Sequence, residues 1–267
     1  MLPADRRLWR VSRDRIENTV VVLGYHGVSP DWPQRAAVRP IALEAQVRLL
    51  LSRGWVGTTF LQAIDSPGGA RRFAVTFDDA YRSVLELALP VLSSLGVPAT
   101  VFVPTDFADR AALMDFGTLG RWRGTPWEEE LRCMSWAELR QLRDAGWEIG
   151  SHTRTHRRLR SLSDRELADE LTSSKARCEE ELGLSRVTLA YPFSDRDARV
   201  VAAAESAGYA AAGADETAPS PPSVHEWPRV SVYRSDSLLR FRLRLSPTAD
   251  AVARRVGGLR AARRTID

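Results

Sequence analysis

The 267-residue sequence has only two cysteines and no long apolar segment, and both shortages exclude a class of protein. Cys133 and Cys178 are too few for a disulfide framework and lack the spacing of metal ligands. No apolar run approaches the roughly 20 residues that cross a bilayer as a helix. The basic N-terminal residues 1–18 are not followed by the apolar core of a signal peptide, so we expect a cytoplasmic protein.

Charge is distributed unevenly along the chain. Of the 38 basic residues only Lys175 is a lysine, which we attribute to coding bias. Residues 238–267 contain eight arginines and two aspartates, a net charge of +6, whereas the whole chain carries +4. The main body therefore lacks the broad basic surface of a nucleic-acid-binding protein. The arginine-rich end predicts either a solvated tail or a weak peripheral contact with the inner face of an anionic membrane.

The alternation of apolar and amphipathic segments predicts a single α/β domain over residues 19–237, between the 1–18 extension and the 238–267 tail. Short apolar segments typical of buried parallel strands occur at 19–25, 72–77, 99–103, 148–151, 187–191, 209–212 and 229–233. Amphipathic helices are predicted between them at 41–53, 81–95, 136–145, 164–182 and 197–207. This order favours parallel βα units in a barrel or an open sheet, with ligands held by the loops that follow the strands.

Two histidines follow the predicted strand 148–151. His152 and His156 are four residues apart, a spacing that places both imidazoles on one side of a helical turn, where they can bind one ion. The pair alone is a weak signal, because solvated or hydrogen-bonded histidines are more common than metal ligands.

Two carboxylates follow the predicted strand 72–77. Asp79 is placed to cap the next helix and Asp78 to lie in solvent beside it, which is the simplest interpretation. Alternatively, one carboxylate joins the two histidines on a metal ion, and the other is a base for a water molecule at the open coordination positions. The carboxylates and the histidines end different strands at the same predicted edge, which favours the joint site.

These residues resemble three motifs of the polysaccharide deacetylases, carbohydrate esterase family 4, which share the nodulation-type deacetylase domain. Residues 75–79 read VTFDD, residues 146–156 read GWEIGSHTRTH, and residues 189–193 read LAYPF. The resemblance covers about residues 19–235 and implies a distorted (β/α)7 barrel. It also implies that Asp78 is the catalytic base, that Asp79, His152 and His156 bind the metal ion, and that the Thr153 side chain fixes the loop of the second histidine.

The sequence departs from the family pattern in the third motif and near the C-terminus. Ala190 stands where many members have an arginine that orients the base, and we consider Arg229 as its replacement. Phe193 stands where they have tyrosine, and its backbone N–H is expected to face the oxyanion, with Tyr191 beside it in the substrate site. No histidine follows His225, which we expect at the surface or at the rim of the site, so the usual C-terminal acid is missing.

A permuted branch of the family, the biofilm poly-N-acetylglucosamine deacetylases, places the acid histidine on an early strand. Here residues 23–28 read LGYHGV, and His26 is our candidate for the general acid. A histidine that is hydrogen-bonded to a loop carbonyl is the alternative.

The resemblance predicts a hydrolase that removes N-acetyl groups from an amino-sugar glycan or glycolipid, with metal-bound water, an aspartate base and a histidine acid. The expected cofactor is one divalent ion, Zn²⁺ first, with Co²⁺, Fe²⁺ or Ni²⁺ as alternatives. A non-haem iron oxygenase shares the two-histidine, one-carboxylate set but usually has another order of ligands. A catalytically inactive carbohydrate-binding protein on the same fold is the third hypothesis, favoured by the missing arginine.

Overall fold

The computed structural model describes residues 20–65, 69–215 and 223–245. Eight parallel strands form one sheet: β1 (Val20–Tyr25), β2 (Val56–Thr58), β3 (Arg72–Phe77), β4 (Ala99–Val103), β5 (Glu148–Ser151), β6 (Thr188–Ala190), β7 (Ala211–Asp215) and β8 (Trp227–Ser231). β1 pairs with both β3 and β8, so seven strands close into a barrel, and β2 is added outside the ring against the first half of β3. The prediction of a distorted (β/α)7 barrel in a single domain is confirmed.

Helices surround the barrel: α1 (Pro40–Leu51), α2 (Phe60–Asp65), α3 (Leu89–Ser94), α4 (Thr105–Ala108), α5 (Trp136–Asp144), α6 (Asp164–Leu182), α7 (Ala198–Ser206) and α8 (Leu238–Arg244). α5 and α6 begin at capping boxes, in which Ser135 and Ser163 accept from the backbone N–H three residues on. No helix within the described ranges has both the length and the apolarity needed to cross a membrane.

Some predicted elements differ from the observed ones. The helix predicted at 81–95 is a π-helical segment, Val84–Ala88, followed by the short α3. Pro90 has no N–H to continue the regular hydrogen-bond ladder, and the wider turn precedes it. β2 and α2 were not predicted, because a strand of three residues and a helix of six are too short to show a recognisable period. β8 begins two residues earlier than predicted and β7 two residues later, since the pairing of Gly213 with Trp227 sets their register.

The segment between β4 and α5 contains α4 and two short 3₁₀ helices, Leu119–Trp122 and Glu128–Leu131. Residues 1–18 and 246–267 lie outside the described residues. The predicted N-terminal extension and most of the predicted C-terminal tail therefore stay predictions. The first residues of that predicted tail form α8.

Two apolar cores hold the barrel together. The larger core lies between the strands and the surrounding helices and includes Leu23, Tyr25 and Phe77. The smaller core contains alternate strand residues such as Val22 and Phe102, which face the barrel interior. Polar side chains collect at the C-terminal ends of the strands, and the candidate site lies there.

Candidate metal centre and active-site cleft

The loops that carry the predicted motifs are held in left-handed backbone conformations. Of the seven non-glycine residues with positive φ in the described parts of the chain, four lie in these motifs and two directly follow one: Asp79, Thr153, His156 and Phe193, then Ala80 and Ser194. Each such residue costs about 1–2 kcal/mol relative to an ordinary backbone conformation. This concentration of strain at one end of the barrel marks a functional site.

Asp79, His152 and His156 come together in a buried cluster. Oδ1 of Asp79 lies 3.5 Å from Nε2 of His152 and 3.2 Å from Nε2 of His156. One ligand atom from each residue falls within 4.8 Å of the other two. Bonds of about 2.0–2.1 Å in a tetrahedral Zn²⁺ site separate neighbouring ligand atoms by about 3.4 Å. The cluster therefore has the spacing that a small divalent ion requires.

The polar atoms of this cluster also fit a metal ion. Oδ1 of Asp79 is buried and has no hydrogen-bond partner among the described residues. Nδ1 of His152 lies 2.8 Å from the carbonyl oxygen of Ala190, so it carries the proton and leaves the Nε2 lone pair facing Asp79. Burial lowers the pKa of His152 to about 4, which keeps this imidazole neutral at physiological pH. A neutral imidazole and an unpartnered carboxylate oxygen are the donors that Zn²⁺ prefers.

His156 is held by aromatic rings. The ring of Phe116 stacks on it with centroids 3.7 Å apart and planes 17° from parallel. The Phe193 ring meets the His156 ring edge to face, with centroids 4.7 Å apart. The Arg158 guanidinium in turn lies over the Phe193 ring, 4.4 Å from its centroid. Nδ1 of His156 is buried without a hydrogen-bond partner among the described residues. Ring packing therefore fixes the orientation of this imidazole.

The loop between the two histidines is tied to α6 by a buried carboxylate. Glu170 accepts hydrogen bonds from the backbone N–H groups of Arg154 and Thr155, at 3.0 and 2.9 Å, and from the Thr155 hydroxyl. The expectation that the Thr153 side chain fixes this loop is wrong. Its hydroxyl is buried and unpartnered in the described structure, while its backbone N–H donates to Ser151 Oγ.

Arg229 contacts the predicted base in the way that the missing third-motif arginine would. The side chain is 1% exposed, and its two terminal nitrogens donate to Oδ1 and Oδ2 of Asp78 at 2.7 and 2.8 Å. A further hydrogen bond of 3.3 Å reaches Asp215. Arg229 lies in the middle of β8, and the small Gly213 on the neighbouring strand leaves room for it, since a Cβ there would lie 2.8 Å from Arg229 Cδ.

This arrangement keeps Asp78 ionised. Burial acts to raise the pKa of Asp78, but the attraction of the Arg229 guanidinium and its hydrogen bonds outweigh burial and hold that pKa well below its ordinary value. The paired charge also satisfies both carboxylate oxygens, which makes the buried position possible.

An open cleft of about 190 Å³ is lined by the metal-ligand cluster and by the Asp78–Arg229 pair. His26, Tyr191 and Phe193 line it together with Asp78 and the metal-ligand cluster. Nδ1 of His26 is buried and has no hydrogen-bond partner in the described chain, so the alternative of a histidine bonded to a loop carbonyl through Nδ1 does not hold.

The other two predicted residues make structural contacts as well. Tyr191 lines the cleft but is buried, and its hydroxyl donates to the carbonyl oxygen of His225 at 2.8 Å. His225 is partly buried, with Nε2 at 2.9 Å from the Tyr209 carbonyl oxygen, so its side chain does not lie on the open surface, and a place at the rim stays a prediction.

With this geometry established, comparison with known proteins decides the family. A sequence model of the polysaccharide deacetylase family matches residues 65–212, more than half of the chain. The chain belongs to the polysaccharide deacetylase family. The matched region contains the metal-ligand cluster and Asp78, whereas His26 and Arg229 lie on either side of it.

A relative within the polysaccharide deacetylase family shows how far the likeness extends. The chain is 23% identical over 193 residues to YxkH of Bacillus subtilis, a protein named as a polysaccharide deacetylase, covering 70% of the chain and 61% of the relative. The chain thus spans about three fifths of that relative's length.

Two solved structures share the fold. The Streptococcus pyogenes deacetylase PplD, in complex with acetate, superposes with a TM-score of 0.71 at 17% identity, covering 85% of this chain and 98% of that one. IcaB from Ammonifex degensii superposes with a TM-score of 0.64 at 24% identity, covering 83% and 94%.

Sequence reasoning missed four residues in and around this candidate site: Phe116, Glu170, Asp215 and Gly213. Phe116 lies in an insert without any period, and Glu170 resembles any other acidic residue of a charged helix. Asp215 ends β7, and its position after a strand was the one available signal for it.

Proposed function

We propose that the protein is a divalent-metal-dependent hydrolase that removes N-acetyl groups from an amino-sugar glycan or glycolipid. The observation that carries the proposal is the placement of the Arg229-paired carboxylate of Asp78 next to the cluster of Asp79, His152 and His156 in one cleft. Membership of the polysaccharide deacetylase family supports the substrate class.

The residues present divide the work of amide hydrolysis. A divalent ion held by Asp79, His152 and His156 would supply the Lewis acidity that polarises an acetyl oxygen and lowers the pKa of a water molecule. Asp78, ionised and oriented by Arg229, accepts the proton of the attacking water. The left-handed turn at Phe193 places its backbone at the rim of the cleft, where an N–H donor to the oxyanion is worth about 2.7–4 kcal/mol.

Departure of the amine requires a proton donor. We assign this role to His26, which lines the same cleft as Asp78. As the C–N bond breaks, protonated His26 donates to the nitrogen, and the products are acetate and the free amine. The exposed Phe193 ring at the cleft would stack on the sugar, whereas Tyr191 lines the cleft as a buried residue beside it.

The alternative of an inactive carbohydrate-binding protein loses its main support. It was favoured by the missing third-motif arginine, and Arg229 makes the corresponding contact with Asp78 from another strand. The oxygenase alternative has no support from the family assignment.

Two substitutions separate the base from the metal ligands. Asp78→Asn should retain about one metal ion per chain and lose acetate release from N-acetylated chitooligosaccharides, whereas His152→Ala should lose both. Metal content by mass spectrometry and acetate by an enzyme-coupled assay provide the two measurements, and Asp144→Asn, on an exposed helix position, is the matched control. An Asp78→Asn variant with full turnover would contradict the assignment of the base.

A further inference from the structure

Exposed aliphatic side chains are concentrated on α8 and at the start of α1. Ile41, Leu238, Leu239 and Leu243 are 73%, 44%, 65% and 56% exposed, and they are four of the seven large hydrophobic residues that are exposed in the described structure. We call these four residues the α8 surface. The two helices pack against each other, so the leucines and Ile41 belong to neighbouring elements.

The contacts of α8 with the barrel leave this surface outward. Phe241 is 1% exposed and anchors the helix, while Arg244 donates to the Ser231 carbonyl oxygen at 2.6 Å and to Asp236 at 3.2 Å. Leu239 and Leu243 are one helical turn apart and therefore share the face away from these anchors. Isolated exposed leucines are ordinary, but adjacent ones on a helix are typical of an interaction surface.

The topology places the α8 surface near the cleft. α1 and α8 follow the loops that leave the C-terminal ends of β1 and β8, the end of the barrel at which the cleft opens. Their first turns, which carry Ile41, Leu238 and Leu239, are therefore at the same end of the barrel as the cleft.

Basic residues accompany the leucines. Arg240, with its side chain 60% exposed, and Arg242, also exposed, lie on α8 itself, and the exposed Arg39 precedes α1. The sequence from residue 238 onward carries a net charge of +6. A second copy of the chain on the α8 surface would place positive charge against positive charge. The C-terminal residues of the same chain are also basic and would be repelled in the same way. An anionic partner, in contrast, has the charge that complements the α8 surface.

We propose that the α8 surface docks the protein on an anionic lipid membrane, with the leucines at the acyl boundary and the arginines among the headgroups. Short helices with this combination of residues lie in the membrane interface, and each arginine near an anionic leaflet adds to the attraction. Docking through this surface would bring the cleft close to the membrane plane. The inference concerns a binding surface and does not depend on the proposed deacetylation.

The test is co-sedimentation of the full chain with vesicles of phosphatidylglycerol and phosphatidylcholine, compared with vesicles of phosphatidylcholine alone. Burial of a leucine shifts an equilibrium by about tenfold. The double variant Leu239→Ser/Leu243→Ser should therefore bind anionic vesicles at least about tenfold more weakly than the wild type. Val56→Ser, an exposed position at the start of β2, is the matched control and should bind like the wild type.

Four results would overturn the proposal: no binding of the wild type even at low ionic strength, equal binding to neutral vesicles, full binding by the leucine double variant, or a dimer in solution that the double variant abolishes. Thermal unfolding of each variant checks that the fold is intact. Acetate release from a soluble chitooligosaccharide should be the same for the double variant and the wild type, which separates a failure of docking from a failure of the proposed activity.

Discussion

Replacement of Arg229 tests whether the buried ion pair organises the catalytic end of the barrel. Arg229→Met keeps much of the side-chain volume but leaves the Asp78 carboxylate, which is 4% exposed, without its bidentate partner. Loss of one partner from a buried pair costs about 3–5 kcal/mol, because the remaining charge is uncompensated. We therefore expect the free energy of unfolding to fall by about that amount at neutral pH.

The pH dependence of this loss has a definite sign. In the wild type the pKa of Asp78 lies below its unfolded value of about 3.9, so the group stabilises the fold above that pH and this contribution disappears as the pH falls through the folded pKa. In Arg229→Met, burial dominates and raises the folded pKa above the unfolded one. The loss in free energy of unfolding caused by Arg229→Met is then largest at neutral pH. It becomes smaller as the pH falls and the Asp78 carboxyl group is protonated.

Urea unfolding at pH 7.5 and pH 5 measures both effects. Arg48→Met is the control, since it breaks an exposed pair with Glu44 that is worth at most about 0.5 kcal/mol. The double variant Arg229→Met/Asp78→Asn removes both charges and should be less destabilised than the sum of the single variants. A loss below about 1 kcal/mol for Arg229→Met, or one that grows on acidification, would refute the reasoning.

Three further predictions concern groups around the same cleft. His26→Asn should lower kcat/KM for acetate release by about 10²–10⁴-fold with metal content unchanged, and a smaller kinetic effect would argue against an acid role. Glu170→Gln should weaken metal binding by about tenfold, measured by chelator competition, because the loop between the histidines loses its anionic acceptor. Phe116→Ala should weaken metal binding by up to about tenfold, because His156 loses its stacked ring. Ser163→Ala, which removes a helix cap, is the control: it should lower the free energy of unfolding by about 1 kcal/mol and leave the metal affinity unchanged.

The strands and their polar ends could be predicted because their signals are local. Phe77 and Ser151 end apolar runs at the residues where β3 and β5 end, and the capping box at Ser163 begins α6 where the sequence places it. The boundaries of β7 and β8 could not be predicted, because they depend on which residues of two distant segments face each other. Pro90 indicates a break in the helix predicted at 81–95, but the amphipathic pattern of that segment continues across the proline and favoured one continuous helix.

The same distinction applies within the site. His152 obtains its tautomer from a backbone carbonyl of β6, and any residue at position 190 would present that oxygen, so no side chain in the sequence records the contact. Phe116 and Glu170 act on His156 and its loop from positions about 40 and 14 residues away in the sequence, without a motif of their own.

Arg229 is the informative intermediate case. It could be considered from the sequence because Ala190 stands where the family has an arginine, and Arg229 opens the last predicted strand. The structure adds the condition that made this replacement possible. Gly213 on β7 leaves the space through which the arginine passes, since a Cβ there would come within 3.1 Å of Nε. The position of the guanidinium beside Asp78 therefore depends on two residues: Arg229 on β8, which carries the charge, and Gly213 on β7, which has no side chain in its way.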